Sequence, residues 1–244
     1  MPQRSRIAVA TLALAGVDET LWPRLAGLLS EEERARAARF HFERNRREYV
    51  AAHALKRALL SAATGDDPRA WRFAAEAGGK PFVAGGRGPH FNLSHCEGLV
   101  ACAVSRDVAL GVDVEPMDRR APFEIVERNF ADAERDWLLA LPEAERTRGF
   151  FALWTMKEAF IKATGKGVSQ GLRSFAIGFD PLAVSFPDPS LAEPGPWRLR
   201  HETIAPTHLL GLAWRGAEAD VGLFEITGED LPQADALREY LRDT

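Results

Sequence analysis

The chain has 244 residues, 46% of them hydrophobic and 27% charged, with a formal net charge of −4. This length buries a substantial core in one large or two small domains, the composition is that of a soluble globular protein, and the acidic balance argues against a dedicated nucleic-acid binder. Two cysteines, Cys96 and Cys102, are too few for a disulfide framework or a zinc site and read as small buried hydrophobes in a reducing compartment.

Arg4 and Arg6 precede an apolar run over residues 7–15, which is short and interrupted by Thr11, so it predicts a first strand rather than a signal peptide. No other stretch approaches the length of a transmembrane helix, and a cytoplasmic protein with no membrane partner is expected. Ser30 followed by Glu33 is a capping box opening a helix that should run to about Phe42. A second helix is predicted over 46–63, stopped by Gly65 and Asp66-Asp67-Pro68. Arg34, Arg36, Arg39, Arg44, Arg46 and Arg47 crowd this region, nearly balanced by Glu31, Glu32, Glu33, Glu43 and Glu48, as on a solvated helix face. Strands are predicted over 71–75, 90–93, 99–104 and 109–115, with glycine turns at 77–81 and 85–89. Helices then cover 123–129, 132–141 and 143–164, the last ended by Gly165. Strands follow at 174–179, 197–202, 208–214 and 220–226, and residues 180–196, with five of the fifteen prolines, read as an irregular surface excursion. Helices then strands, twice over, predict an α+β fold of two similarly built halves, 1–108 and 109–244. No residue-level repeat is evident, so the duplication rests on element order.

Two acidic clusters about forty residues apart carry the chemistry. Alternation along 110–115 turns Asp113 and Glu115 to one face and Val112 and Val114 into a core. On the later helix, Trp154, Glu158 and Lys162 are spaced four apart and project together. Lys157, about 100° round the helix, is read as facing water. Three carboxylates and an ammonium meeting where that strand meets that helix suit a magnesium-assisted reaction at a phosphate: hard oxygen ligands for the metal, a cation for the developing charge. Lys80 sits in a glycine turn, a common hairpin feature that also lets a phosphate approach the backbone. Thr164-Gly165-Lys166-Gly167 lacks the full spacing of a phosphate loop and reads as a helix stop.

The succession Gly79-Lys80-Pro81, Phe91-Asn92-Leu93-Ser94-His95, Gly111-Val112-Asp113-Val114-Glu115 and Trp154-Thr155-Met156-Lys157-Glu158-Ala159-Phe160-Ile161-Lys162 resembles the signature of the Sfp-type 4'-phosphopantetheinyl transferases. The resemblance implies a pseudodimer of two related α+β halves with the active site at their interface. It implies an enzyme that transfers the 4'-phosphopantetheinyl arm of coenzyme A to a serine of an apo acyl or peptidyl carrier protein, releasing adenosine 3',5'-bisphosphate. By the same resemblance Asp113, Glu115 and Glu158 hold Mg²⁺, Lys162 contacts the pyrophosphate, and Lys80 a coenzyme A phosphate. Ser94 and His95 grip the nucleotide, including its 3'-phosphate, and Arg36 matches a basic residue on that phosphate. Glu33 falls where some relatives carry a second base, and Cys96 where the family often has serine. Glu134 matches the family's acidic position after an Arg-x-Phe segment, so the base for the incoming serine is Glu134, Glu158 or a metal-bound water. Two halves in one chain imply a monomer, and an Arg-rich face at Arg44 and Arg46 is a candidate surface for an acidic carrier helix. A non-catalytic coenzyme A-binding module and a metal-dependent phosphohydrolase are the competing readings.

Overall fold

The computed structural model describes residues 4–86, 88–205, 207–231 and 234–242. They fall into two compact units, residues 1–75, 81–109 and 218–244 in one and residues 76–80 and 110–217 in the other. Each is α+β. Among the described residues no helix is long and apolar enough to cross a membrane.

The first unit opens with β1 (Ser5–Ala13), followed by α1 (Trp22–Gly27), α2 (Glu31–Ala37) and α3 (Glu43–Thr64). A small hairpin, β2 (Phe73–Ala75) with β3 (Pro81–Val83), precedes β4 (His90–Cys96) and β5 (Leu99–Ser105). β1, β5 and β4 pair antiparallel. Alternation sets Ala8, Ala10 and Leu12 of β1 and Val100, Cys102 and Val104 of β5 against Leu55, Leu59 and Ala62 of α3. Cys102 is buried as expected, whereas Cys96 is only partly so. α3 stops at Gly65, whose left-handed φ of 90° closes the last turn onto the Ser61 carbonyl.

The helix begun at Ser30 ends at Ala37 rather than continuing to Phe42. The chain folds back there, laying α2 beside α3, and Glu33 fastens the pair. Its carboxylate completes the capping box with Ser30, accepts from Lys56 Nζ at 2.9 Å and Arg57 Nε at 2.5 Å, and lies 2.7 Å from His53 Nδ1. Burial pushes the Glu33 carboxyl up, but the contacts with His53, Lys56 and Arg57 outweigh it and hold it well below the usual range.

The second unit contains β6 (Leu110–Pro116), α4 (Glu124–Asn129), α5 (Asp132–Ala140) and α6 (Glu143–Thr164). β7 (Ala176–Phe179), β8 (Leu182–Ser185), β9 (Trp197–Ile204) and β10 (His208–Arg215) follow. The antiparallel sheet runs β6-β10-β9, with α6 packed on β6 and β10. Phe150, Phe151, Phe160, Phe175 and Leu209 fill its core. The proline-rich excursion is less irregular than expected: β8 pairs with β7, and Leu182, Val184 and Phe186 alternate onto the core.

The chain then returns to the first unit. β11 (Ala219–Glu225) joins the edge of its sheet parallel to β1, giving the order β11-β1-β5-β4, and α7 (Asp235–Arg242) packs on α3. Set beside a division at 108/109, residues 218–244 lie with the first unit and the turn 76–80 with the second.

Replacing Glu33 with glutamine leaves Lys56 and Arg57 buried without a countercharge. Glu33→Gln is expected to lower the unfolding free energy by about 3 kcal/mol at pH 7, read by urea denaturation. Because the folded carboxyl lies below its ordinary value of 4.5, the parent's advantage is fully present above that pH. It shrinks as pH falls toward the folded value.

Candidate active site

Two glycines set the geometry of the second unit. A Cβ on Gly111 would lie 2.2 Å from the Ala159 carbonyl oxygen, and one on Gly211 2.6 Å from that of Thr155. The backbone of α6 therefore rests directly on β6 and β10, where any larger residue would lever it away. Gly211 is the cross-strand partner of Asp113. Residues sharing the parity of Gly111, namely Asp113 and Glu115, face the helix, while Val112 and Val114 are buried on the opposite face.

Helix and strand are stitched by polar contacts across this narrow gap. Lys162 Nζ donates to Asp113 Oδ1 at 2.7 Å and to the Val112 carbonyl at 3.2 Å. Trp154 Nε1 donates to Glu115 Oε1 at 3.0 Å, and Arg119 pairs with the other oxygen. Burial, and then the nearby Asp113 charge, push the Glu115 carboxyl up against the pull of Arg119 and Trp154. The same two causes raise Glu158, opposed by Lys162. The three acids thus share one electrostatic environment, but their side chains do not converge on a point. Among the described residues no group of three His, Cys, Asp or Glu side chains is arranged to hold a metal ion.

Two sequence-predicted residues behave differently from expectation. Lys157 does not face water: it is fully buried, donating to both oxygens of Glu134 at 2.7 Å and to the Phe175 carbonyl at 3.0 Å. Its ammonium lies 4.1 Å from the centre of the Phe175 ring. Glu134 also accepts from the backbone N–H of Ala131 at 2.9 Å and of Ile177 at 2.8 Å. At 1% exposure, with both oxygens engaged, it joins α5, α6 and β7, and no incoming hydroxyl has a route to it. The signal for Lys157 was in its helical phase, which it shares with the buried Phe150, Leu153 and Phe160.

Lys80 likewise has a structural employment. Its ammonium donates to the Leu110 carbonyl at 2.9 Å and the Ala163 carbonyl at 3.1 Å, tying the start of β6 to the last turn of α6. Burial pushes it down to about 8.

Arg36, Ser94 and His95 belong to the first unit. Ser94 and His95 are neighbours on β4, an edge strand, and so project to opposite faces: Ser94 is buried and His95 exposed. Arg36 is exposed on α2, its guanidinium 5.5 Å from the centre of the Tyr49 ring. The basic run beyond it is largely neutralised: Arg44 pairs with Glu97, Arg46 with Glu43, and Arg47 with Glu19 and Glu43.

Comparison with known proteins brings the two units under related descriptions. A model of the 4'-phosphopantetheinyl transferase superfamily matches residues 109–213, and one described as 4'-phosphopantetheinyl transferase, N-terminal, matches residues 18–107. The chain is 33% identical over 202 residues to the 4'-phosphopantetheinyl transferase HetI of Nostoc sp., covering 78% of this chain and 82% of that one. It is 34% identical over 154 residues to the 4'-phosphopantetheinyl transferase Sfp of Bacillus subtilis, covering 63% and 68%. To the 4'-phosphopantetheinyl transferase psf-1 of Bacillus pumilus it is 39% identical over 151 residues, covering 62% and 64%.

The two classes of carboxylate should respond oppositely to neutralisation. Glu134→Gln, which strands a buried ammonium, is expected to cost about 3 kcal/mol in equilibrium denaturation at pH 7. Glu158 is held above its ordinary value, so its charged form is disfavoured by the fold. Glu158→Gln is therefore expected to leave stability unchanged or raise it.

Proposed function

Since the chain belongs to the 4'-phosphopantetheinyl transferase superfamily and is a 4'-phosphopantetheinyl transferase, we propose that its donor is coenzyme A and its acceptor a serine of an apo acyl or peptidyl carrier protein. Attack of the serine hydroxyl on the pyrophosphate forms the new phosphodiester, and adenosine 3',5'-bisphosphate leaves. We assign this to a monomer acting in the cytoplasm.

The observation that carries the reading is the contact of Lys162 with Asp113, on a helix seated against the strand, with Glu115 and Glu158 in the same electrostatic environment. Its donors are hard carboxylate oxygens whose crowded negative charge the half-buried setting disfavours, which suits Mg²⁺. Asp113, Glu115 and Glu158 would hold that ion once their side chains, which do not converge here, turn toward it; when bound, it supplies charge neutralisation and orientation at the pyrophosphate.

Lys162 is fixed by the Val112 carbonyl as well as by Asp113, so its ammonium is oriented before substrate arrives. It stabilises charge building on the leaving phosphate. Glu134 is committed to Lys157, Ala131 and Ile177, and of the remaining candidates we assign the serine proton to Glu158. Lys80 serves by fixing β6 to α6. In the first unit, exposed His95 and Arg36 are suited to the nucleotide phosphates.

The test is incubation with coenzyme A, Mg²⁺ and a panel of apo carriers, read by intact mass for the added prosthetic group. Transfer is expected from the parent and to vanish with EDTA. Asp113→Ala is expected to reduce the rate at least 100-fold while the protein stays folded. Full transfer by Asp113→Ala would count against the site, and phosphate release from coenzyme A without any acceptor would favour a hydrolase instead.

A further inference from the structure

The first unit carries a two-rung ladder between α2 and α3. Glu33 and Arg36 are three apart on α2, and Tyr49 and His53 four apart on α3, so each pair presents one face to the other helix. The lower rung is the buried Glu33 carboxylate with His53, Lys56 and Arg57. The upper rung is Arg36 over Tyr49, with 5.5 Å from the guanidinium carbon to the ring centre. The rungs are joined by rings: Tyr49 stacks on His53 at 4.0 Å between centroids and 26° between planes, and Phe40 lies 5.3 Å from Tyr49.

This arrangement answers a question of charge. Glu33 is one helical turn from Arg36, the spacing at which an acid ordinarily captures a neighbouring arginine. Here Lys56 and Arg57 take the carboxylate into the interior instead. The Arg36 guanidinium rests on an aromatic face, a partner that attracts a cation without competing for its N–H donors.

We propose that Tyr49 is a positioning residue for coenzyme A recognition: its ring, braced by His53 and Phe40, holds the Arg36 guanidinium as a receptor for the 3'-phosphate, and the Glu33 cluster keeps a carboxylate out of that receptor. The inference rests on the transferase reading above, in which Arg36 meets that phosphate.

The experiment compares coenzyme A with 3'-dephospho-coenzyme A as donors to one apo carrier, for the parent, Tyr49→Leu, Tyr49→Phe and Arg36→Lys. Leucine keeps apolar bulk but removes the ring face, whereas phenylalanine keeps it. Tyr49→Leu is expected to raise KM for coenzyme A about two- to fivefold, with kcat and the KM for the dephospho donor unchanged. Tyr49→Phe should match the parent with both donors. Arg36→Lys, at an exposed position that folding tolerates, should show the same selective rise, and adding Tyr49→Leu to it should have no further effect. A rise shared by both donors, a fall in kcat alone, or a parental KM in Arg36→Lys would overturn the inference while leaving the transferase reading intact. A parent that transfers from neither donor would overturn the transferase reading itself.

Discussion

The second unit depends on one steric constraint: α6 lies with its backbone, rather than its side chains, against β6 and β10. Gly111 and Gly211 are the contact points, and a methyl group at either would collide with helix carbonyls. Only at this spacing do Lys162 and Trp154 reach across to the acids of β6 at hydrogen-bond distance. The closeness has an electrostatic cost, because burial and the charge of Asp113 disfavour the ionised forms of Glu115 and Glu158. Consecutive residues of α6 divide the consequences. Lys157 anchors the helix through a fully satisfied buried ion pair, and Glu158 spends that rigidity on a strained charge. A charge held unfavourably in the fold is a common signature of a site built for a ligand rather than for stability.

The same device occurs in the first unit, and it exposes a repeat that element order alone had only suggested. Each unit has a 22-residue helix, α3 or α6, closed by a left-handed glycine, Gly65 or Gly165. Eight positions before that glycine stands a buried cation, Arg57 or Lys157. Each pairs with a buried glutamate in the first turn of a preceding short helix, Glu33 or Glu134, which also accepts from the backbone N–H three residues earlier, at Ser30 or Ala131. The glutamate and the glycine recur as letters, but Arg57 answers to Lys157 and Ser30 to Ala131, so the repeat is largely one of roles. That is why direct comparison of the letters misses it.

What was legible in the sequence was local. The Ser30–Glu33 capping box, the glycine stops at Gly65 and Gly165, and the period-2 pattern through Asp113 each act within a few residues, and each appears in the fold. The α+β character follows from the same signals. What escaped prediction depends on distant partners. Nothing near Lys157 announces Glu134, 23 residues away, and Lys80 looks like any turn lysine until Leu110 and Ala163 present their carbonyls to it. The acids of the candidate site are singled out by their spacing and by resemblance. Their individual partners, Lys162 for Asp113 and Trp154 for Glu115, are not, because those contacts depend on how closely a helix sits on a sheet.

The pairing of β1 with β11 has a consequence for the order in which the molecule can be assembled. The segment from Leu110 to Ala217 is continuous but for the short turn 76–80, so its sheet and helix can organise as soon as they leave the ribosome. The opening strand, by contrast, must wait for a neighbour more than two hundred positions downstream before its outer edge is covered. Until then it presents an open row of backbone donors and acceptors, and the nascent first unit is the part of the chain most exposed to wrong pairings.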